Sequence, residues 1–203
     1  MFKEVDLKEY NNDKNDKNNN EYKNDKNDDE YKSVEYKTSN VKVYNATKGN
    51  KKVVIKIFDY PPYEELNILL KLRPVCGYFL CIDDFGKVKN DINKYFISTE
   101  FIQGVTLNDY LRKNYGDTKE SHQNLNTIMN NIVKSIEILH KNGISHNDIN
   151  AENIIIEPSN KIRILDFGES NENKKYFYND FLQVIRIFSE FIDTSKLLEK
   201  LRS

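Results

Sequence analysis

The chain has 203 residues, 38% of them hydrophobic and 31% charged, with a formal net charge of −1. That is enough for one globular domain and a tail, with neither a basic field for nucleic acid nor an acidic excess for cations. No apolar run approaches the roughly 18 residues that a membrane span requires, and the opening MFKEVDLKEY carries charges where a signal peptide needs an apolar stretch.

Residues 10–32 are low-complexity Asn, Asp and Lys, and a Glu-Tyr pair recurs at Glu9-Tyr10, Glu21-Tyr22, Glu30-Tyr31 and Glu35-Tyr36. Such a segment cannot bury enough apolar area to offset its ordering entropy, so residues 1–32 read as a disordered, solvated tail whose deletion would leave the melting temperature unchanged. Residues 33–203 read as the folded domain. SVEYKT, VKVYNA and KKVVIKIF, separated by Ser39-Asn40 and Lys48-Gly49-Asn50, predict three antiparallel strands. Pro61-Pro62 opens a helix through Leu72, with Leu66, Leu69, Leu70 and Leu72 as its apolar face.

YFLCI and KYFIST predict two further strands. On an extended strand, Cys76 and Cys81 would lie about 17 Å apart on opposite faces. That argues against a disulfide and for a reducing, cytoplasmic location. Thr106 precedes a short helix, LNDYL, with Asp109 three residues on as a capping box requires. Leu125, Ile128, Ile132, Ile136 and Leu139 recur at helical spacing in an amphipathic helix ending near Gly143. Two strands around Pro158-Ser159-Asn160 and a helical region from about Asn179 complete the pattern.

Between the last long helix and those strands lies ISHNDINAEN, followed by ILDFG. His146-x-Asp148, Asn153 and Asp166-Phe167-Gly168 bring two carboxylates and an amide oxygen into a short span, and Mg2+ is a hard cation that prefers such oxygens and phosphates. In order and spacing this set resembles the catalytic segment of the protein kinase superfamily. The resemblance covers most of residues 33–190. It implies an α+β, two-lobed kinase-like fold: a small antiparallel β N-lobe at about 33–99, a hinge at 100–105 and a truncated helical C-lobe at 106–203.

By the same resemblance Asp148 orients or accepts the proton of the acceptor hydroxyl, and Asn153 and Asp166 hold Mg2+ against the phosphates of ATP. Val53-Val54-Ile55-Lys56 resembles the strand whose lysine contacts the α- and β-phosphates. Glu65, or its neighbour Glu64, resembles that lysine's partner glutamate. TEFIQG resembles the hinge, with Thr99 as gatekeeper and the main chain of Glu100 and Ile102 facing the adenine edge. His146 resembles the family's structural histidine, Asp180 resembles the start of the helix that anchors the catalytic loop, and His122 and His140 carry no signal. A second Asp84-Phe85-Gly86 has no HxD loop before it and reads as a strand-connecting turn.

The sequence departs from the family pattern at several points. Tyr36, Thr38 and Val41 stand where a glycine-rich loop would bring N–H groups close to phosphate. Asn147 replaces the arginine that loop phosphorylation commonly engages, and Asn150 replaces a lysine. After Gly168 no APE-like motif appears before Ser203. This compactness resembles the RIO family, the small kinase of the KEOPS complex or minimal viral kinases, the last implying host cytoplasm.

The leading expectation is a Ser/Thr protein kinase acting on a protein substrate, alone or within a larger complex; Glu152 stands at a position common in Ser/Thr kinases. A pseudokinase scaffold is the alternative that the lost glycines favour. A small-molecule kinase or ATPase is the third reading.

Overall fold

A computed structural model describes residues 4–7, 10–12, 34–37, 40–89, 91, 93–114 and 118–202. The chain forms two compact units, Met1–Tyr63 with Cys81–Phe101 and Glu64–Leu80 with Ile102–Ser203. In the first, β1 (Glu4–Val5) and β2 (Tyr10–Asn12) precede β3 (Val34–Lys37), β4 (Val41–Lys48) and β5 (Lys51–Phe58). The strands β6 (Ile82–Val88) and β7 (Tyr95–Glu100) complete a sheet of order β1-β6-β7-β5-β4-β2, with β3 also paired to β4.

The three strands expected from residue 33 onward are present. β4 and β5 pair from Val41↔Phe58 to Lys48↔Lys51, joined by the two-residue turn Gly49-Asn50. Gly49 takes φ +61° there, as hairpin turns that match strand twist require. Alternation sorts the faces of β5. Val53, Ile55 and Ile57 are buried in a core with Tyr44, Ala46 and Phe96. Lys56, paired with Val43 and Ile97, projects from the opposite face with Val54.

The amino-terminal stretch departs from expectation. β1 adds parallel to β6 and β2 antiparallel to β4, so the sheet is mixed and residues 4–5 and 10–12 lie at its two ends. Five residues from Val5 to Tyr10 span at most about 17 Å, whereas six flat neighbouring strands would spread over roughly 24 Å. The sheet is therefore curled, and Lys48 Nζ on β4 meets Asp84 Oδ2 on β6 at 3.0 Å. Val5, Leu7 and Tyr10 are 8%, 4% and 3% exposed and belong to the core. Residues 4–7 and 10–12 are thus part of the domain: three apolar side chains suffice to hold a segment whose polar remainder predicts disorder. The rest of the expected tail, residues 1–3, 8–9 and 13–32, lies outside the described residues.

The segment around Cys76 also differs. Arg73–Tyr78 is a 3-10 helix kinked at Val75, and the strand begins only at Ile82. Both cysteines are disulfide-bonded, because the extended geometry that would hold them apart is not adopted. Asp84-Phe85-Gly86 lies inside β6, with Phe85 opposite Ile97 and Gly86 opposite Phe96, and is not a turn.

The second unit contains α1 (Tyr63–Leu72), α2 (Leu107–Asn114), α3 (Lys119–Lys141), α4 (Phe177–Phe188) and α5 (Ser195–Arg202), with β8 (Val105–Thr106), β9 (Ile154–Ile156) and β10 (Ile162–Ile164) as a small sheet. Thr118 caps α3 by accepting the Ser121 N–H at 3.1 Å, and Thr106 Oγ1 accepts that of Asp109 at 3.1 Å. The helix α1 and the 3-10 turn, expected in the N-lobe, belong to this unit. Phe79 bridges to Ile164 and meets Phe167 edge-on at 5.8 Å. The buried Arg163 caps the 3-10 helix, bonding the carbonyls of Cys76 at 3.1 Å and Phe79 at 2.6 Å. At the start of the unit Gly104 passes so near β9 that a Cβ would lie 2.5 Å from the Ile156 carbonyl. Among the described residues no helix is long and apolar enough to cross a membrane.

Candidate active site

The loop from Ile144 to Asn153 has little regular structure, so its polar groups need partners elsewhere. α4 supplies two. Asp180, fully buried, accepts the N–H of His146 at 2.9 Å on Oδ2 and that of Asn147 at 2.8 Å on Oδ1. His140 Nε2 meets Asp180 Oδ2 at 2.8 Å, and its ring stacks on Phe177 at 3.9 Å. Gln183, one turn further, accepts the Ile149 N–H at 2.9 Å and donates to the Asn147 carbonyl at 2.7 Å. The segment after Gly168 is fastened alongside: Ser145 and Asn171 exchange two backbone bonds, and Ser170 Oγ donates to the His146 carbonyl at 3.2 Å.

His146 is enclosed. Its Nδ1 accepts the Asp148 N–H at 3.3 Å, so Nε2 carries the proton donated to the Leu165 carbonyl at 2.8 Å. Burial pushes this imidazole below its ordinary value, although the Leu165 carbonyl and the carboxylates of Asp180, Asp166 and Asp148 work in the other direction. A neutral, doubly bonded ring is a structural element, as expected from the sequence.

Asp148 and Asn153 are brought together. Asn153 Nδ2 donates to Asp148 Oδ2 at 2.8 Å and to its carbonyl at 3.1 Å. With its nitrogen engaged, the amide of Asn153 has its carbonyl oxygen for a cation. Asn150, where the family has lysine, builds the turn: its Oδ1 accepts the N–H groups of Glu152 and Asn153, both at 3.0 Å, and its Nδ2 meets Asp148 Oδ1 at 3.1 Å. A lysine has no acceptor for the first two bonds. Asn108, in the first turn of α2, donates a short bond to Glu152.

Asn147 and Asp166 take φ +69° and +57°. These are left-handed conformations that Asn and Asp tolerate better than other non-glycine residues, and such departures persist where the surroundings over-determine them. Asn147 Nδ2 donates to the Glu169 carbonyl at 2.9 Å, tying the loop to the segment after Gly168. Phe167 is fully buried, its ring centroid 5.0 Å from that of His146.

The other expected residues divide between the units. Glu65 is buried on α1 whereas Glu64 is exposed, so Glu65 is the inward carboxylate of that pair. Ile102 is buried at the start of the second unit's main segment. In the first unit Lys56 lies on β5, and Thr99, buried on β7, pairs with Val54. Glu100 bonds Cys81 twice, its N–H to the carbonyl and its carboxylate to the N–H, both at 3.0 Å. An adenine contact from Glu100 would fall to its carbonyl.

The donor set fits magnesium. Asp166 and Asn153 offer only hard oxygens, and two protein ligands leave the remaining positions to phosphate and water, the usual division for Mg2+. No cluster of three or more His, Cys, Asp or Glu suited to a metal occurs among the described residues.

These features define a kinase-type catalytic loop. A family model for the protein kinase domain matches residues 37–185, and the chain belongs to that family. It is 32% identical over 148 residues to the probable serine/threonine-protein kinase fnkB of Dictyostelium discoideum, covering 68% of this chain and 27% of that one. It is 35% identical over 81 residues to the EKC/KEOPS complex subunit bud32 of the same organism, covering 39% of this chain and 32% of that one. The chain thus spans about a quarter to a third of these curated relatives. Among solved structures, the Cydia pomonella granulovirus kinase PK-1 shares the fold, with a TM-score of 0.61 at 22% identity over 78% of this chain and 68% of that one.

His140, Gln183 and Arg163 were not marked as functional by sequence reasoning. The one available signal was polar Asp180 and Gln183 recurring one turn apart on the largely apolar FYNDFLQVIRIF.

Proposed function

We propose that the protein is an ATP- and Mg2+-dependent kinase that transfers the γ-phosphate to Ser or Thr hydroxyls of a protein substrate inside the cell, alone or within a larger complex. The arrangement of Asp148 carries this reading: its neighbours Asn147 and Ile149 are fixed on α4 by Gln183, while its carboxylate takes two neutral amide donors, Asn150 at 3.1 Å and Asn153 at 2.8 Å. Neutral donors orient the carboxylate without cancelling its charge, so it remains able to accept the proton of the attacking hydroxyl. Asn153 and Asp166 would hold magnesium, which when bound supplies positive charge to the phosphate oxygens. Lys56 contacts the α- and β-phosphates, and Glu65 takes the part of the family's buried glutamate. Thr99 borders the adenine, and the main chain of Glu100 and Ile102 reads its edge. Tyr36 and Val41 stand where glycines would let N–H groups approach phosphate, as does Thr38, which lies outside the described residues, so a high KM for ATP belongs to this reading.

The test follows γ-labelled phosphate from ATP onto a mixed Ser/Thr peptide library, with and without Mg2+, for wild type and Asp166→Asn. Asparagine is chosen because it tolerates φ +57°, so the comparison removes charge without adding strain. Mg2+-dependent label on Ser or Thr in wild type, and none in the variant, supports the kinase reading. Label released only as free phosphate would make the protein an ATPase. Nucleotide binding with no turnover would make it a scaffold, the reading that the missing glycines favour.

A further inference from the structure

Gln183 touches the chain on both sides of Asp148. Of the two peptide groups that meet at the Asp148 Cα, Gln183 takes the carbonyl of the first, on Asn147 at 2.7 Å, and the N–H of the second, on Ile149 at 2.9 Å. The remaining two groups belong to Asp148 itself: its N–H goes to His146 Nδ1 at 3.3 Å and its carbonyl to Asn153 Nδ2 at 3.1 Å. All four polar groups of the flanking peptides are therefore engaged, and both backbone torsions of Asp148 are determined.

We propose that Gln183 is a positioning residue for Asp148, setting the direction of the carboxylate that receives the hydroxyl proton; this rests on the kinase reading above. Only an amide performs both halves of the task. A glutamate in its place keeps an acceptor for Ile149 but sets a carboxylate against the Asn147 carbonyl. A methionine matches the shape and makes neither bond. The Asn147 peptide is the one under tension, because Asn147 holds φ +69° and relaxes once its carbonyl loses a partner. Gln183 touches no expected ligand of nucleotide or metal, so its loss acts on the chemical step and leaves ATP binding intact.

The test measures kcat, KM for ATP and the amide exchange rate of Ile149 in wild type, Gln183→Glu and Gln183→Met. The expected result is a fall in kcat of about tenfold or more, since small misplacements of a reacting group have effects of that order. KM for ATP should stay within about twofold, and the Ile149 amide should exchange faster in Gln183→Met. An unchanged kcat in both variants overturns the proposal, as does a loss that merely follows the fraction of unfolded protein. If Gln183→Met does not fold, Gln183→Glu, which keeps the shape and the Ile149 bond, decides by the same kcat criterion. If wild type transfers no phosphate, the kinase reading fails by itself. Amide exchange then decides the positioning role: faster exchange at Ile149 in a folded variant upholds it, and unchanged exchange overturns it.

Discussion

The side chains of the catalytic loop do different work from those they replace in the family pattern. Asn150 removes a cation and supplies a turn; Asn147 removes another and ties the loop to the Glu169 carbonyl at 2.9 Å. The side chains around Asp148 within the loop are consequently neutral amides, while the buried Asp180 anchors His146 and Asn147 from α4. This gives Asp148→Asn a clear expectation. The substitution preserves size but sets an amide nitrogen or oxygen where Asn150 and Asn153 donate, and on the proposed kinase reading it abolishes proton acceptance. Turnover should fall by about 10²–10⁴-fold, the usual contribution of a positioned acid or base. The dissociation constant for Mg-ATP should stay within a few-fold, because Asn153 and Asp166 remain. Stopped-time phosphotransfer and titration calorimetry measure the two quantities, and an equal loss in both would make Asp148 a structural residue.

Among the elements, the amino-terminal strap, residues 4–7 and 10–12, carries the prediction in which the structure reverses the expectation from sequence. Tyr10 packs edge-on against Phe96 with centroids 6.1 Å apart, its hydroxyl lies 3.4 Å from Asp84 Oδ2, and the Lys48 ammonium sits 5.0 Å from its ring centroid. Burial tends to lower the Lys48 pKa, but its bonds to Tyr10 and Asp84 outweigh that and raise it; burial raises that of Tyr10. At neutral pH the lysine is therefore charged and the phenol protonated. Deleting residues 1–12 would lose the burial of Val5, Leu7 and Tyr10 but regain the entropy of ordering them, so point substitutions are the cleaner test. Tyr10→Ala removes a buried aromatic ring and should cost about 3 kcal/mol, lowering the melting temperature by several degrees. Tyr10→Phe removes only the hydroxyl and should cost about 1 kcal/mol. A melting temperature unmoved by Tyr10→Ala would return the strap to the solvated tail that its composition suggests.

At the scale of the molecule, what was legible in the sequence is what repeats or recurs at short range. The alternation in β5, the helical spacing from Leu125 to Leu139 and the order His146, Asp148, Asn153, Asp166 each survive as local patterns, and each element appears where its pattern lies. What escaped depends on pairing between distant segments. Val5, Leu7 and Tyr10 are too few to register in a polar stretch, yet they find a ready core on β4, β5 and β7. The 3-10 turn before β6 follows Arg163, which lies 84 positions beyond the Phe79 carbonyl it caps.

His146 links the site to the stability of the whole domain, and it does so with a definite sign. Its folded pKa lies below the ordinary histidine value of 6.5 because it is fully buried, so between those two values the unfolded chain binds more protons than the folded one. Stability is then complete above about pH 6.5 and is lost as pH falls below it, by up to about 1.4 kcal/mol per pH unit. For a chain of this size that corresponds to a melting temperature lower by up to roughly 3–6 °C per unit. His146→Gln, which can still donate to the Leu165 carbonyl but does not titrate, should be less stable at pH 7.5 and show a shallower slope between about pH 6.5 and 5.5. Scanning calorimetry of both proteins across that interval decides the matter: parallel curves would assign the acid sensitivity to other groups and remove His146 from the account.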